Sequence, residues 1–152
     1  MKIEHTAEIE VTEKQLSNLL CDAFEDGSNY WISTIQYFYK GKHMTADQIR
    51  KALKGKMPTC GDGSLTTKDL DDPAYLWLPF LKGGEVRIFV ADEGDEFSGK
   101  VFILDKEHIT LGLIKFSNFH KSHFANFISE NDDAITGDVF LQCCLFGDVI
   151  FG

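Results

Sequence analysis

Residues 129–152, SENDDAITGDVFLQCCLFGDVIFG, place the most apolar stretch of the chain directly after a group of acids and amides. Acidic and amide side chains before an apolar segment are typical of a helix N-terminus, where they cap free backbone amides and meet the positive end of the helix dipole. We therefore predict that residues 130–138 begin a helix that continues through residues 139–146. Gly147 then ends the helix, and residues 149–151 form a last short strand or a packed tail.

The length and composition are those of one ordinary globular domain. A folded chain of 152 residues buries about 68–70% of its extended-chain surface, which is enough for a hydrophobic core. Hydrophobic residues make up 43% of the chain and charged residues 26%, so disorder is not indicated. The sequence therefore predicts a single domain over residues 1–152.

The charge of the chain is acidic and unevenly distributed. A net charge of −9 argues against direct nucleic-acid binding and against binding to an anionic membrane, because both favour a surplus of Lys and Arg. Residues 40–56 nevertheless hold six basic residues and one acidic residue, whereas residues 122–152 hold five acidic residues and no Lys or Arg. Two solvated faces of opposite sign are the simplest interpretation. A homo-oligomer and a phosphate-bearing partner are the alternatives.

The cysteines and the apolar runs indicate a cytoplasmic protein. None of the four cysteines forms a C-x-x-C pair and two are adjacent, so buried reduced thiols are expected rather than disulfides or a metal cluster. No apolar run reaches the about 18 residues of a membrane-spanning helix, and the N-terminus has no apolar core of signal-peptide length. We predict a protein that neither crosses a membrane nor is secreted.

The first part of the chain contains two predicted strands and a capped helix. Strict alternation of apolar and polar residues predicts a half-buried strand over residues 3–11. Thr12 and Gln15 form a capping-box pattern for a helix that ends near Gly27 in the left-handed conformation. An aromatic-rich strand follows over residues 28–40. Its apolar residues divide between one face with Trp31, Ile35, Tyr37 and Tyr39 and the other face with Ile32 and Phe38.

A short basic helix and a long loop come next. Thr45 and Gln48 repeat the capping-box pattern and place the helix near residues 45–54. Residues 55–73 are rich in Gly, Thr, Asp and Lys and have no periodicity, which is typical of a surface loop.

The remaining elements determine the predicted fold class. Residues 75–81 and 85–90 form the two strands of a predicted hairpin with its turn at residues 82–84, and residues 101–104 form a further strand. Asp105 is expected to cap a helix, and another helix follows it. Strands thus dominate the first two thirds of the chain and helices the last third. This order predicts an α+β fold with a mainly antiparallel sheet and helices packed on one face.

Two His-x-Thr triplets indicate a catalytic alternative. His43-Met44-Thr45 and His108-Ile109-Thr110 lie 65 residues apart and resemble the paired triplets of two-histidine phosphoesterases, in which the imidazoles transfer protons and the hydroxyls hold the phosphate. That mechanism needs both triplets in adjacent strands, whereas Thr45 is predicted to cap a helix and His108 to lie in one. Cleavage of a cyclic nucleotide is therefore the alternative, and a non-catalytic protein is favoured.

Neither a metal ion nor a cofactor is predicted. The acidic segments at residues 60–72 and 130–138 do not place oxygen ligands with the spacing of a calcium loop. The sequence also lacks the zinc spacing of His and Cys and the glycine-rich phosphate loops.

Two polar segments beside aromatic residues are the best candidates for a binding site. The first segment contributes Ser28, Asn29, Tyr30 and Trp31, and the second contributes Asn131, Asp132, Asp133 and Thr136. Turn formation, core packing and helix capping account for them in the simplest interpretation. If the segments meet, the rings can stack on a flat ligand while the carboxylates and amides accept its amino hydrogens. Lys40, Lys42 and Arg50 would then contact the phosphates of a nucleotide-derived ligand.

Three segments carry a family resemblance: LLCDAFEDGSNYW at residues 19–31, GGEVRIFVADE at residues 83–93 and HFANFISENDDAITGDVFLQCCLFGDVIFG at residues 123–152. They are similar to a widespread family of small, uncharacterised proteins encoded by bacteriophages and prophages. Residues 40–56 and 55–73 are longer than is usual in this family. The resemblance implies a cytoplasmic product of an infected or lysogenic bacterium, outside the structural set of the virion, and it implies no catalytic residue.

The sequence therefore favours a non-catalytic phage accessory protein. Such a protein would bind a small, nucleotide-derived ligand or a host protein, in keeping with the counter-defence roles of small accessory phage proteins. The predicted site lies where residues 28–31 meet residues 130–138. The alternatives are the two-histidine phosphoesterase and an acidic decoy that inhibits a host DNA-binding enzyme.

Overall fold

The computed structural model of the protein describes residues 1–3, 9–58 and 61–152, which form helices packed on an antiparallel sheet. The strands are β1 (Lys2–Ile3), β2 (Ile9–Glu10), β3 (Ile32–Tyr39), β4 (Lys42–His43), β5 (Gly84–Val90) and β6 (Val101–Leu104). The α-helices are α1 (Glu13–Asp22), α2 (Ala46–Leu53), α3 (Lys106–Phe119), α4 (Lys121–Ile128) and α5 (Ala134–Phe146). A π-helical turn (Ala23–Gly27) extends α1, and 3₁₀ turns lie at Thr67–Asp71, Ala74–Leu76 and Leu78–Phe80.

The main sheet has the strand order β4-β3-β5-β6, with antiparallel neighbours throughout. Every second residue of β5 is buried, because one face of the sheet covers the core and the other faces outward. Ile35 and Tyr37 of β3 pack against this core, as predicted. Ile32 also packs against the core instead of sharing the outer face with Phe38, because the pairing register shifts between Ile32 and Thr34.

Helix α5 lies in the centre of the helical layer. Ten of its 13 residues are buried, and it packs against α1, α3, α4 and strand β6. Asp133 caps its first turn by accepting a hydrogen bond from the Thr136 amide at 2.9 Å, and Gly147 ends it with a φ of 79°. The predicted α+β class and the predicted helix that ends at Gly147 are confirmed.

The capping predictions for the other helices are confirmed as well. The hydroxyls of Thr12 and Thr45 each accept a hydrogen bond from the amide three residues later, and the glutamine at that position accepts one from the threonine amide. Asp105 accepts a hydrogen bond from the His108 amide at 2.9 Å. These contacts span three residues, so their chemistry is complete within a short segment of sequence.

The prediction of one strand over residues 3–11 is wrong. β1 pairs antiparallel with β2, and Ile3 lies opposite Ile9, so the chain reverses between them. Residues 4–8 lie outside the described part of the structure. Apolar and polar residues alternate both in one long strand and in two short paired strands. The alternation therefore did not distinguish one strand from a pair of strands.

The prediction of a strand over residues 75–81 is also wrong. Ala74–Leu76 and Leu78–Phe80 are consecutive 3₁₀ turns, and β5 pairs with β3 and β6 instead. Pro79 has no amide hydrogen and therefore suits a turn better than an inner strand. Trp77 and Leu78 are adjacent and both fully buried, which explains an apolar run without alternation.

The loop predicted over residues 55–73 contains one short ordered element and a contact with α1. Thr67–Asp71 forms a 3₁₀ turn, and residues 59–60 lie outside the described part. Asp62 accepts a hydrogen bond from the Glu13 amide at 2.8 Å, and Ser64 Oγ accepts one from the Lys14 amide at 2.9 Å. These side chains cap the free amides at the start of α1.

Gly27 is explained by close packing and not by the predicted left-handed backbone conformation. It does not have a positive φ; instead, a Cβ on Gly27 would lie 2.0 Å from the carbonyl oxygen of Ala134. Gly137 lies close to the end of α1 in the same way, since its Cβ would lie 2.7 Å from the Ala23 amide nitrogen. These two glycines let the end of α1 contact the start of α5, which brings residues 28–31 against α5.

Candidate functional site

A buried carboxylate on α5 joins three side chains of the segment that follows α1. Asp138 Oδ1 accepts hydrogen bonds from Ser28 Oγ at 2.8 Å and from Trp31 Nε1 at 2.7 Å. Asp138 Oδ2 accepts one from the Tyr30 hydroxyl at 2.7 Å. Asp138 is only 7% exposed, so these donors replace the water that its charge would otherwise require.

Gln142, one turn further along α5, fixes the C-terminal residues onto the same site. Its Oε1 accepts hydrogen bonds from the amides of Ile150 and Phe151, both at 2.9 Å. Its Nε2 donates to the Phe151 carbonyl at 3.2 Å and to the Tyr30 hydroxyl at 3.3 Å. Gln142 is fully buried, and its amide satisfies the backbone of the tail in place of a strand partner.

The two aromatic residues of the segment differ in their exposure. Trp31 is buried. Its ring stacks on Phe151 with centroids 5.5 Å apart and packs edge-to-face with Phe146 with centroids 5.3 Å apart. Tyr30 is 50% exposed, although its hydroxyl is held by Asp138. Burial raises the pKa of the Tyr30 hydroxyl, and the hydrogen bond to Asp138 raises it further. The phenol therefore stays protonated, and Tyr30 presents an uncharged, fixed ring to solvent.

A cleft of about 300 Å³ opens beside this ring, and we refer to it as the Tyr30 cleft. It is lined by Tyr30, Trp31, Val90, Ala91, Glu93, Asp95, Phe151 and Gly152. The walls come from the segment before β3, the loop after β5 and the C-terminal tail. The cleft is within the lower range of volumes that accommodate small ligands.

The second predicted segment, residues 130–138, meets residues 28–31 only through its last residue, Asp138. Asp133 caps α5, and the Thr136 amide that it binds lowers the pKa of its carboxyl. The Thr136 hydroxyl lies 3.2 Å from Nδ1 of His123, and the exposed Asn29 donates to the Glu25 carbonyl. Asn131 is exposed and its amide donates to a carbonyl of α4. The structure therefore places Ser28, Tyr30 and Trp31 at the site, and it places the other predicted ligand-binding residues elsewhere.

Asp132 belongs to a different carboxylate pair, with Asp22 at the end of α1. Asp22 Oδ2 is buried and receives no hydrogen bond from the described residues. Burial, the side-chain hydrogen bond to Asp132 and the charges of Asp132 and Asp133 together raise the pKa of Asp22 to about 7. A proton shared with Asp132 supplies the hydrogen bond that Asp22 otherwise lacks.

This pair leads to a prediction about pH. Because the folded pKa of Asp22 lies above its ordinary value of 3.8, its contribution to stability is complete below that value and is lost as the pH rises through about 7. Asp22→Asn supplies a permanent N–H donor, so it should raise the free energy of unfolding at about pH 8 by about 1 kcal/mol, a figure that allows for partial solvent screening. Urea titrations at about pH 5 and about pH 8 measure this difference.

The exposed Asp26 provides the matched control for Asp22. Asp26→Asn removes the same charge four residues away and should leave stability unchanged at both pH values. A wild-type protein that is equally stable at both pH values, or an equal effect of the two substitutions, contradicts the shared proton.

The predicted phosphate contacts lie away from the Tyr30 cleft. Lys40 and Lys42 flank the turn at the far end of β3, and the eight residues of that strand separate them from Tyr30 by about 25 Å. Arg50 donates to the carbonyls of Leu70 and Asp72 and lies over the Trp77 ring. Arg50 therefore holds the 3₁₀ turns against α2.

The two His-x-Thr triplets are not in adjacent strands. His43 lies on β4 and stacks on Phe38, while Thr45 caps α2. His108 lies in the first turn of α3 and contacts Asp105 at 2.7 Å, and the Thr110 hydroxyl donates to the Lys106 carbonyl. This arrangement differs from the one that a two-histidine phosphoesterase requires.

The cysteines of α5 serve in packing. Cys143 and Cys144 are buried free thiols, and Cys21 is a partly buried free thiol. Burial raises the pKa of Cys143 to about 12 and the pKa of Cys144 well above its ordinary value. Both thiols stay protonated, and protonated thiols are poor nucleophiles and poor metal ligands. Cys60 lies outside the described part of the chain.

Sequence reasoning did not assign Asp138, Gln142, Phe151, Glu93 and Asp95 to the site. One available signal was the spacing of Asp138 and Gln142, two polar residues four positions apart on an otherwise apolar helix, which share one helix face. Polar residues on a buried face require polar partners.

Comparisons with family models, curated proteins and solved structures gave no match to this chain. In the described part of the chain, no helix has the length and apolar character to span a bilayer. No group of three or more His, Cys, Asp or Glu side chains in that part is placed to hold a metal ion.

Proposed function

We propose that the protein is a non-catalytic binding protein and that the Tyr30 cleft is its site for a small ligand with a flat ring. The observation that carries the proposal is the half-exposed Tyr30 ring, whose hydroxyl is fixed by Asp138 at 2.7 Å. A ring held in place before binding loses little conformational entropy when a ligand stacks on it. Trp31 and Phe151 support the floor of the cleft as a stacked pair.

The two hydrogen-bonded groups Asp138 and Tyr30 are suited to binding rather than to catalysis. Asp138 has both oxygens engaged by three donors, so it is unsuited to abstract a proton from a ligand. The raised pKa of Tyr30 keeps its hydroxyl protonated and unreactive. A general base needs a free acceptor within hydrogen-bond reach of the ligand, and neither Asp138 nor Tyr30 supplies one.

The resemblance to phage and prophage proteins supports a biological setting for this proposal. In that setting the protein acts in the cytoplasm of an infected bacterium as an accessory protein, and capture of a host-derived small molecule is its role in countering defence. Function depends on the chemistry of the site, so a binding experiment is the decisive test of this role.

The proposal predicts that Tyr30→Ala weakens ligand binding, whereas Tyr30→Phe retains most of it. Stacking of a base on an aromatic side chain contributes about 1–3 kcal/mol, so the loss should be between about fivefold and about 150-fold. Calorimetry against nucleosides, nucleotides, cyclic dinucleotides and NAD-derived metabolites measures the affinity, and Trp31 fluorescence reports occupation of the cleft.

Tyr30→Phe is the matched control because it keeps the ring and removes only the hydroxyl. Circular dichroism of both variants at the assay temperature checks that they are folded. If no member of the panel produces heat and Trp31 fluorescence does not change, the small-ligand proposal is wrong.

A further inference from the structure

Most hydrogen-bond donors on the walls of the Tyr30 cleft are already engaged. The indole N–H of Trp31 and the hydroxyl of Tyr30 both donate to Asp138. The Ala91 amide donates to the Trp31 carbonyl at 2.8 Å, the Val90 amide to the Lys100 carbonyl at 3.0 Å, and the Phe151 amide to Gln142 at 2.9 Å. These groups cannot also donate to a ligand without losing a bond within the protein.

The charged groups along the cleft are acceptors. Of the lining residues, the charged ones are Glu93 and Asp95, both exposed, on the loop after β5. The loop is ordered, since Ser98 Oγ accepts hydrogen bonds from both of their amides at 3.0 Å. Asp95 Oδ1 also accepts from the Phe97 amide at 2.8 Å. The backbone of both residues is therefore held beside a fixed aromatic ring, and the Asp95 carboxylate is fixed as well.

We infer that the Tyr30 cleft selects a flat ring that carries amino groups or a positive charge and discriminates against phosphate-bearing forms of the same ring. This inference rests on the proposed function and specifies its ligand class. Carboxylates accept hydrogen bonds from amino groups and attract cations, and the face of a tyrosine ring also attracts cations. A phosphate needs donors or cations, and in this cleft it would meet Glu93 and Asp95 instead.

The positions of Lys40 and Lys42, two of the residues predicted to contact phosphate, support the same ligand class. Lys40 and Lys42 lie at the opposite end of β3, about 25 Å from Tyr30. A mononucleotide stacked on Tyr30 cannot reach them with its phosphate. The nucleotide-derived ligand that the sequence suggested is thereby narrowed to a base or nucleoside without phosphate.

Three probes that share one ring system separate charge from shape: adenosine, 1-methyladenosine, which is cationic at neutral pH, and adenosine 5′-monophosphate. By calorimetry on the full chain, 1-methyladenosine should bind at least about tenfold more tightly than adenosine, and the monophosphate at least about tenfold more weakly. The preference for the cation should decrease as salt screens the exposed carboxylates.

The variant Glu93→Gln with Asp95→Asn tests the two carboxylates directly. It should bring the affinities for 1-methyladenosine and adenosine to within about threefold of each other, because the amides keep the shape of the acids without their charge. The control variant Asp92→Asn with Glu96→Gln removes two exposed acids of the same loop that do not line the cleft. The control should keep the wild-type order of affinities.

The outcomes separate the two proposals. Equal affinities for the three probes, or tighter binding of the monophosphate, would overturn charge selection while leaving a ring-binding cleft in place. Equal losses in the double variant and its control would assign the effect to the net charge of the loop and overturn the role of Glu93 and Asp95. If none of the three probes binds and no nucleotide or metabolite of the wider calorimetry panel binds either, the proposed function itself is wrong.

Discussion

Replacing Asp138 with alanine should lower the free energy of unfolding by about 3–5 kcal/mol, because it leaves buried donors without a partner. Ser28 is fully buried and Trp31 is 2% exposed, so neither the Ser28 hydroxyl nor the Trp31 N–H can turn to water. Tyr30 is half exposed and can recover part of its loss by hydration. Urea denaturation followed by Trp31 fluorescence and circular dichroism measures the change.

Asp138→Asn separates the loss of hydrogen bonds from the loss of charge. Its carbonyl oxygen can still accept from Ser28 and Trp31, and its amide can donate to the Tyr30 oxygen. We therefore expect a loss of about 1–2 kcal/mol, clearly below that of alanine. Asp92→Ala, at an exposed loop position, is the control for removal of an acid and should change stability by less than about 0.5 kcal/mol. An alanine variant at position 138 as stable as that control would show that the network does not stabilise the fold.

The features that were predictable from sequence are those whose chemistry is local. The two threonine capping boxes and the glycine that ends α5 each depend on residues within one helical turn, and all of them are present. The α+β class also followed from the order of the elements along the chain. Each of these inferences needs only neighbouring residues and a known periodicity.

The wrong strand at residues 75–81 was predicted because burial, and not strand formation, causes the apolar pattern there. Residues 75–81 are apolar because the 3₁₀ turns insert Trp77, Leu78 and Phe80 into the core. An apolar run of that length fits a buried strand equally well, and only tertiary packing decides between them. Pro79 was the one local signal against the strand.

The sequence indicated which two segments meet, but not which acid joins them. Residues 28–31 do meet the acidic segment, but at Asp138 rather than at Asp132 or Asp133. Asp133 is the N-cap, so its side chain binds the free amides of its own helix. Asp138 lies more than one turn further on, on the face of α5 toward Trp31. Which acid faces inward depends on where the helix begins, and a shift of one residue turns a side chain by about 100°.

The contributions of the loop after β5 and of the C-terminal tail were not accessible from sequence. Glu93 and Asp95 lie about 60 residues from Tyr30 along the chain, and Phe151 lies about 120 residues from it. They reach the cleft because β5 pairs with β3 and because Gln142 binds the tail. Such contacts follow from sheet register and side-chain packing, which no local pattern reports.

Removal of residues 148–152 should lower the free energy of unfolding by about 2–4 kcal/mol. The deletion removes Phe151, whose ring stacks on Trp31 at 5.5 Å. It also leaves Gln142 Oε1 without the amides of Ile150 and Phe151, in a side chain that is fully buried. Thermal and urea unfolding of the truncated chain measure the loss, and an unchanged melting temperature contradicts a packed tail.

Two single substitutions in the tail show which contact causes that loss. Phe151→Ala removes the ring on Trp31 and should account for about 1–2 kcal/mol, because Phe151 is partly buried and a fully buried large apolar side chain contributes about 1.5–3 kcal/mol. Ile150→Ala keeps the backbone amide on Gln142 and alters a side chain that is 38% exposed, so we expect less than about 1 kcal/mol. Equal effects of the two substitutions would mean that the Trp31 stack does not hold the tail. The Tyr30 cleft would then lack a fixed wall, because Phe151 and Gly152 form its C-terminal side.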